Sequence, residues 1–263
     1  MNNTAMNINT ARQLIDITTQ FYAQTAPSFS ASRHNSWPGW NRFLEELDAK
    51  APAGEALSIA DLASGNLRFE AYVERSLPGR SFNFYTADNC DVFTLEQVKS
   101  TLNHRKIDLI DQLLCGTLAR SLNIPPCNAA VCFGFLHHIP GNKLRASFLK
   151  EALRFVKPEG LLCVSLWRFA QDEKLLKKAQ ITTEMAVAKY KLGALEAGDF
   201  LVGWQNETDV YRYCHSFSDE DIDELVESLR DVARLVTSYD SDGRNGRMNR
   251  YLIFQRNETR LTE

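Results

Sequence analysis

The sequence predicts an α/β fold in which a mostly parallel sheet is covered by helices on both faces. Strand-like and helix-like segments alternate from residue 57 to residue 168, a pattern typical of parallel strands joined by crossover helices. Two more strands, at 232–239 and 249–256, are separated by the turn cluster DSDGRNG and predict an antiparallel hairpin at the sheet edge. Together these segments predict seven strands, mostly parallel, with a reversed C-terminal strand.

Composition limits the class of protein and its partners. The chain has 263 residues, 44% hydrophobic and 24% charged, which suits one large soluble α/β domain. The net charge of -3 gives no overall positive field, so a nucleic-acid partner would need a local basic patch. No apolar run reaches the length of a membrane span, and the six cysteines form no CxxC pair. We therefore expect no membrane partner, reduced thiols and a cytoplasmic location.

Four regions follow one another along the chain. Two helices, at 9–24 and 37–48, predict an N-terminal helical cap over residues 1–50. Residues 51–170 predict a cofactor-binding core with strands at 57–62, 82–88, 105–110, 128–136 and 160–168, and helices at 66–76, 92–101, 112–121 and 141–155. A long helix at 172–196 and an irregular aromatic stretch predict a substrate lid over 171–217. Residues 218–263, with a helix at 219–230 and the hairpin, complete the core sheet.

The first strand runs into a tight turn in the segment LSIADLASGNLRFE. Asp61 ends the strand, and Ala63, Ser64 and Gly65 form the turn before the helix. Ligands of open α/β sheets bind beyond the carboxyl ends of the strands, where backbone N–H groups and a helix N-terminus face them. Only one glycine is present, so the turn by itself fits a cofactor site or a bare strand–helix junction equally well.

Acidic residues at the next two strand ends favour the cofactor site. Asp88 ends the second strand, where it can accept hydrogen bonds from ribose hydroxyls with help from Asn89. Asp111 is placed at the end of the third strand, where it or Gln112 can bind the amino group of a base. Asp88 could instead serve as a helix N-cap. Together with Asp61, however, these acids at three successive strand ends predict a nucleoside-type cofactor.

The fourth strand ends in aromatic residues and a histidine pair. We place Phe133, Gly134 and Phe135 in the cofactor crevice, followed by His137 and His138. His138 is the candidate base or hydrogen-bond donor toward a substrate. The adjacent histidines do not have the spacing of a helical zinc pair, and no cysteine nearby in the sequence completes a ligand set, so we predict no metal.

Residues 55–170, including KPEGLLCVSLW, resemble the S-adenosylmethionine-dependent methyltransferases of the seven-stranded Rossmann-like class. Two further segments resemble the eukaryotic tRNA wobble-uridine carboxymethyl methyltransferases. The first matches a tyrosine, an A-x-x-F-S-x-(S/T)-R stretch and a W-P pair through Tyr22, Ala26, Phe29, Ser30, Ser32, Arg33, Trp37 and Pro38. The second matches W…R-Y-Y-H-x-F through Trp204, Arg212, Tyr213, His215 and Phe217, with Cys214 in place of the usual second tyrosine.

The resemblance implies S-adenosylmethionine as cofactor and methyl transfer to the carboxylate of a modified uridine at the tRNA wobble position. Arg212 and His215 would then orient that carboxylate, since arginine pairs with carboxylates through two hydrogen bonds. Arg33, with Tyr22 nearby, would neutralise the methionine carboxylate of the cofactor.

Three aromatic residues, Trp37, Trp204 and Tyr213, are candidates for substrate contacts, and Trp204 could stack on a base. The eukaryotic relatives also use a small protein partner, which no feature of this sequence tests.

The cofactor loop departs from the pattern of the family. The family has D-x-G-C-G-x-G where this chain has DLASGNL, so Ala63 and Leu67 replace two glycines. Three functions therefore remain open: a tRNA methyltransferase, a small-molecule O-, N- or carboxyl methyltransferase with the lid over a compact pocket, and a non-catalytic binding protein that keeps the fold.

Overall fold

The computed structural model describes residues 6–31, 35–51, 54–89, 98–205, 207 and 209–258. The elements in chain order are α1 (Ile8–Ala31), α2 (Trp40–Lys50), β1 (Leu57–Leu62), α3 (Arg68–Ser76), β2 (Phe82–Asp88), β3 (Thr101–Lys106), α4 (Leu109–Leu114), α5 (Leu118–Leu122), β4 (Cys127–Cys132), α6 (Asn142–Arg154), β5 (Val156–Trp167), α7 (Glu173–Tyr190), β6 (Asp199–Gly203), β7 (Tyr211–His215), α8 (Asp219–Leu229), β8 (Ala233–Ser241) and β9 (Asn249–Arg256). Short 3₁₀ turns cover Leu136–His138 and Phe169–Gln171.

The main sheet has seven strands in the order β3-β2-β1-β4-β5-β9-β8. The pairs from β3 to β5 are parallel, whereas β9 runs antiparallel to both β5 and β8. The predicted fold class, with its single reversed C-terminal strand, is therefore confirmed. The strand order switches direction between β1 and β4, because β2 and β3 follow on one side of β1 and β5 follows on the other side of β4. Open α/β sheets bind ligands at such a switch point.

Helices cover both faces of this sheet and create two apolar cores. One core lies under α6 and α8 and includes Phe148, Leu149 and Leu225. The other lies under α2 and α3 and includes Phe43 and Phe69. Both cores draw on residues of the same central strands, because successive side chains in a strand point to opposite faces. Strands β1 and β4 consequently read as nearly continuous apolar runs.

The segment between β5 and α8 contains a second, two-stranded sheet with its own helix. Helix α7 packs on a two-stranded antiparallel sheet of β6 and β7, a hairpin that the sequence analysis described only as irregular. Hydroxyl groups join the helix to the hairpin: Thr182 Oγ1 donates to the Leu201 carbonyl, and the Leu201 N–H donates to Thr183 Oγ1. Helix α1 packs against β7, where the Tyr213 N–H donates to Thr18 Oγ1.

Of two predictions about the region after β2, the strand needs correction and the helix lies mostly outside the described residues. The third strand was placed at 105–110, but β3 covers Thr101–Lys106, and Asp108 already caps α4. Most of the predicted helix at 92–101 lies outside the described residues, since 90–97 are not described. Among the described residues, no helix combines the length and apolarity needed to cross a bilayer.

Candidate functional site

A cavity of ≈ 420 Å³ opens at the carboxyl ends of β1, β2 and β4. The loops after these strands form its floor, α1 and the Trp37–Trp40 segment form one side, and Trp167 and Arg212 form another. The turn between β8 and β9 also contributes to the wall through Asp242 and Gly243. The predicted site residues in this wall are Tyr22, Trp37, Asp61, Ala63, Ser64, Gly65, Asp88, Asn89, Phe133, Gly134, Phe135, His138 and Arg212.

The loop after β1 keeps a glycine-type backbone although two of its glycines are replaced. Ala63 has φ 72° and Leu67 has φ 59°, both in the left-handed region, as does Gly65 with φ 56°. A side chain in this region costs roughly 1–2 kcal/mol, and such strain concentrates at functional sites. The loop therefore retains a glycine-type path that keeps its backbone close to the cavity.

Asp88 at the end of β2 braces this loop. Its Oδ2 accepts a hydrogen bond of 2.9 Å from the Gly65 N–H, and the Ala63 N–H donates to the Ala87 carbonyl at 2.8 Å. Asn89 follows in the cavity wall and is exposed. Asp88 thus joins the ends of β1 and β2 into one polar edge of the cavity.

The third acid of this edge is Asp108, and the sequence analysis placed it wrongly at Asp111. Asp108 lies in the cavity wall, where its Oδ1 accepts from the N–H groups of Ile110 and Asp111 as the N-cap of α4. Asp111 is an exposed residue inside α4, and Gln112 bonds to Thr117. Neither Asp111 nor Gln112 contributes to the cavity wall, because the strand ends four residues earlier than expected.

Asp61 lies in the cavity wall beside a second buried acid, Glu70, in the first turn of α3. Asp61 is 3% exposed and Glu70 is 0% exposed. Burial, together with the charge and hydrogen bond of Glu70, raises the pKa of Asp61 well above its ordinary value; Asp88 adds to the rise and Arg68 opposes it. Burial likewise raises the pKa of Glu70 to about 7, against hydrogen bonds that lower it.

Trp37 closes the cavity over the end of β4. Its ring lies so near Gly134 that an added Cβ would meet it at 3.0 Å, and the φ of Gly134 is +69°. Gly134 therefore meets both the steric and the conformational requirement for glycine. Trp37 stacks on Trp40 at 5.7 Å between centroids, and the Arg68 guanidinium lies over both rings.

The segment that carries Trp37 is attached to the C-terminal hairpin through Gly39. The Gly39 N–H donates to Asp242 Oδ1 at 3.1 Å, and Tyr239 donates to the Gly39 carbonyl at 2.6 Å. Asp242 is itself buried and accepts from Tyr251 and Asn249 through Oδ2. These bonds fix the entry of α2 against the sheet.

His138 is held by a hydrogen bond at each ring nitrogen. Nδ1 lies 2.7 Å from the Tyr213 carbonyl and must donate to it, which leaves Nε2 to accept from the Tyr22 hydroxyl at 2.9 Å in the neutral ring. The same ring stands at right angles to Tyr22 and is 3% exposed. A neutral imidazole with a fixed tautomer can act as a base toward a substrate in the cavity.

Arg212 on β7 places a buried guanidinium in the cavity wall. The residue is 4% exposed, and its guanidinium carbon lies 4.9 Å from the ring of Phe21, 5.6 Å from Trp204 and 6.0 Å from Trp167. Cations over aromatic faces are stabilised when they are desolvated. Trp204 packs on Arg212 and does not itself contribute to the cavity wall, so the predicted contact with substrate stays a prediction.

Two neighbours of Arg212 were predicted as site residues and lie elsewhere. Tyr213 donates to Asp199 at 2.7 Å, and His215 Nδ1 lies 2.8 Å from the same carboxylate. His215 Nε2 also lies 3.3 Å from Asp221. Because side chains alternate along β7, Arg212 faces the cavity while Tyr213 and His215 build a buried polar network behind the strand. Neither side chain contributes to the cavity wall, and their assignments to substrate binding and catalysis stay predictions.

The histidine pair lies near a cysteine that is distant in sequence. His137, His138 and Cys214 offer ligand atoms within 4.8 Å of one another, so the argument that no cysteine can join the pair is wrong. Cys214 Sγ is 3.8 Å from His138 Nδ1, the nitrogen that donates to the Tyr213 carbonyl. A metal ligand nitrogen must be unprotonated, so this arrangement fits a hydrogen-bonded histidine better than a metal centre. Arg33, the last predicted residue, lies outside the described residues.

Sequence reasoning missed Asp108, Glu70 and Asp242. Asp108 had a visible signal, because an Asp directly before a short apolar helix is a typical N-cap. Glu70 and Asp242 had none, since their burial depends on contacts with elements far away in the chain.

Comparison with known proteins agrees with the strand order of the sheet. No protein-family model matches the chain. A tRNA (carboxymethyluridine(34)-5-O)-methyltransferase of Arabidopsis thaliana is 27% identical over 160 residues, which cover 59% of this chain and 33% of that protein. The chain thus spans about a third of the length of this curated relative.

Solved methyltransferase structures share the fold. The 1,6-didemethyltoxoflavin-N1-methyltransferase of Burkholderia thailandensis, solved with S-adenosylhomocysteine, has a TM-score of 0.59 at 12% identity, with 98% of each chain covered. A methyltransferase of Methanosarcina mazei has a TM-score of 0.56 at 15% identity, covering 85% of this chain and 99% of that one. The strand order and these likenesses show that the chain has the fold of the class I S-adenosylmethionine-dependent methyltransferases.

Proposed function

We propose that the chain is an S-adenosylmethionine-dependent methyltransferase that uses the cavity at the ends of β1, β2 and β4. The loop Ala63–Gly65 would let the cofactor approach the backbone closely, Asp88 would hold its ribose hydroxyls and Asp108 its base. The donor set fits this ligand, because Asp61 presents a buried carboxyl whose Oδ1 lacks a hydrogen-bond donor among the described residues. The left-handed backbone at Ala63 and Leu67 also supports a loop that still binds a cofactor, and it argues against a protein that keeps the fold but has lost cofactor binding.

The chemistry asks for alignment more than activation. When bound, the cofactor supplies a methyl group on a positively charged sulfur, which is already a reactive donor. The residues of the chain then have to exclude water and hold the acceptor in line, which the aromatic side chains of Tyr22, Trp37 and Trp167 are placed to do. A carboxylate acceptor is ionised at neutral pH and needs no base.

The acceptor that we propose is a carboxylate on a modified wobble uridine of tRNA. The observation that carries this proposal is the buried Arg212 guanidinium in the cavity wall, a cation suited to a carboxylate or another anionic acceptor. The likeness to the Arabidopsis tRNA methyltransferase supports the same acceptor. We also propose the cytoplasmic location expected from the sequence, since Cys115, Cys127 and Cys163 form no disulfide with a described residue.

A second candidate function is methylation of a small-molecule oxygen or nitrogen. The Tyr22–His138 pair favours it, because a neutral histidine with a fixed tautomer is a base that a carboxylate acceptor would not need.

Transfer of a radiolabelled methyl group separates the two functions. The protein is incubated with labelled S-adenosylmethionine and either total tRNA or a metabolite extract. Our proposal predicts label in tRNA that mild alkali releases as methanol, because a methyl ester hydrolyses under those conditions. Label confined to metabolites, or tRNA label that resists alkali, would contradict it. Arg212→Gln should abolish tRNA labelling while leaving cofactor binding within threefold, whereas Arg244→Gln, at the exposed hairpin turn, should retain labelling.

A further inference from the structure

Two buried acids at the cavity, Asp61 and Glu70, act on each other's ionisation. Asp61 belongs to the cavity wall, whereas Glu70 lies behind it in α3. Asp61 Oδ1 and both carboxyl oxygens of Glu70 are buried and receive no hydrogen bond from an amide or hydroxyl of another described residue. Buried carboxyl groups are normally hydrogen-bonded or neutralised, so this pair requires a proton or a cation.

The surroundings supply little compensation for two negative charges. Asp88 on β2 adds a third negative charge to the field at Asp61, and Arg68 on α3 adds the one favourable positive charge among the groups that act on Asp61. Cys132 on β4 also faces Asp61, and burial keeps its thiol neutral by raising its pKa well above the ordinary value. The N-terminal turn of α3 favours an anion only modestly.

We propose that Asp61 and Glu70 act as one acid pair, which holds a shared proton in the cofactor-free protein and releases it to solvent when the positively charged cofactor binds. The inference rests on the proposed S-adenosylmethionine site. In the free protein the proton joins the two carboxyls in a hydrogen bond. In the complex the pair is ionised, and the positive charge of the cofactor takes the place of the proton that has left to the buffer.

Glu70 is therefore a positioning residue that acts on the cofactor through Asp61. It raises the proton affinity of Asp61 by its charge and by the shared hydrogen bond, and both contacts depend on its complete burial. Two carboxyl groups this close titrate as a unit, so their behaviour belongs to the pair. Cofactor affinity should accordingly increase with pH through the range in which the pair loses its proton.

Isothermal titration calorimetry of S-adenosylmethionine in phosphate and in Tris tests this inference. The two buffers differ in ionisation enthalpy, so the difference in observed heat counts the protons released. At pH 6 we expect release approaching one proton per bound cofactor, a smaller release toward pH 8, and a Kd that falls by up to about tenfold per pH unit below pH 7. Binding with equal heats in both buffers and a flat Kd would overturn the acid pair while leaving the cofactor site intact. No binding at any pH would overturn the cofactor site and the inference together.

Two variants assign the proton to the pair. Glu70→Gln removes one acid and offers an amide donor to Asp61, so proton release should fall by at least half. Glu74→Gln, one turn further along α3, is the matched control, because its carboxyl accepts from the N–H groups of Lys99 and Ser100 and should leave the release unchanged. Equal release by Glu70→Gln and wild type would overturn the role of Glu70. Should Glu70→Gln fail to fold, the two-buffer count on the wild-type protein still decides whether the site exchanges a proton.

Discussion

The hydroxyl of Tyr22 lies 2.9 Å from Nε2 of His138, across 116 positions of sequence. The contact joins α1 to the turn after β4, and it exists because α1 packs on β7, whose Tyr213 carbonyl binds the other nitrogen of the same ring. One imidazole thus connects α1, the turn after β4 and β7.

Replacing Tyr22 tests whether this connection serves the reaction. We expect Tyr22→Phe to lower kcat/KM for methyl transfer by about tenfold, the kinetic equivalent of about 1.4 kcal/mol, because Nε2 loses its hydrogen-bond donor. Initial rates of label transfer measure the effect. Tyr190→Phe is the control. The Tyr190 ring packs on Tyr211, and this variant should keep the wild-type rate. A fully active Tyr22→Phe would exclude the contact from the reaction.

Glycine substitutions at two positions of the loop after β1 should change the free energy of unfolding in opposite directions. Ala63→Gly should raise the free energy of unfolding by about 0.5–1 kcal/mol, since it relieves the side chain at φ 72° at some cost in chain entropy. Leu67→Gly should lower it by about 2 kcal/mol, because Leu67 is fully buried and its packing outweighs the strain relieved. Urea unfolding of both variants measures the changes, and equal signs would show that the loop conformation differs from the one described.

The attachment of the Trp37 segment predicts an intolerant glycine. A Cβ at Gly39 would lie 2.2 Å from the ring of Tyr251, which stacks on Tyr239 and donates to Asp242. Because that ring is fixed, we expect Gly39→Ala to lower the free energy of unfolding by about 1–3 kcal/mol. At Gly79 an added Cβ meets no atom within 4 Å, so Gly79→Ala should change stability by less than about 0.5 kcal/mol. Similar thermal midpoints for the two variants would argue against the close contact.

The acid pair also predicts a pH dependence of stability that requires no ligand. The pKa of Glu70 is raised from 4.5 to about 7, so between these values the folded protein keeps a proton that the unfolded chain has lost. Stability supplied by that proton is therefore present at pH 5 and is lost as pH rises toward 8. We expect the free energy of unfolding of Glu70→Gln, relative to wild type, to increase from pH 5 to pH 8, as measured by urea titrations. A difference that stays constant with pH would contradict the raised pKa.

The central strands were predictable from sequence, whereas the edge strand was not. Strands β1 and β2 match their predicted bounds at 57–62 and 82–88, because β1 is mostly apolar and buried, and β2 alternates buried with half-buried residues. Strand β3 has the polar sequence TLNHRK and lies at the sheet edge with most residues exposed, so it carries no apolar signal. The apolar residues Leu109 and Ile110 that drew the prediction belong to α4, and the misplaced strand moved the third acid from Asp108 to Asp111.

The direction of side chains along β7 explains which of its predicted residues reach the cavity. The motif YRYCH singled out three residues, but in a strand only alternate side chains can face one cavity, and Arg212 is the one that does. This segment reads as irregular in the sequence, so there was no strand register from which to tell which of its side chains share a face. The proximity of Cys214 to His138 was equally hidden, because it depends on how β7 packs under α1.

The binding of S-adenosylmethionine to three aspartate variants tests the central claim most directly, because the account requires that this cavity and these strand ends hold the cofactor. Calorimetry should give one site per chain for the wild type. Asp88→Ala should weaken binding by about 1–3 kcal/mol through lost charged hydrogen bonds, and Asp108→Ala should weaken it in the same direction. Asp111→Ala, three residues away on the exposed side of α4, should bind as tightly as wild type. An unchanged Kd in Asp88→Ala, or a loss confined to Asp111→Ala, would contradict the account.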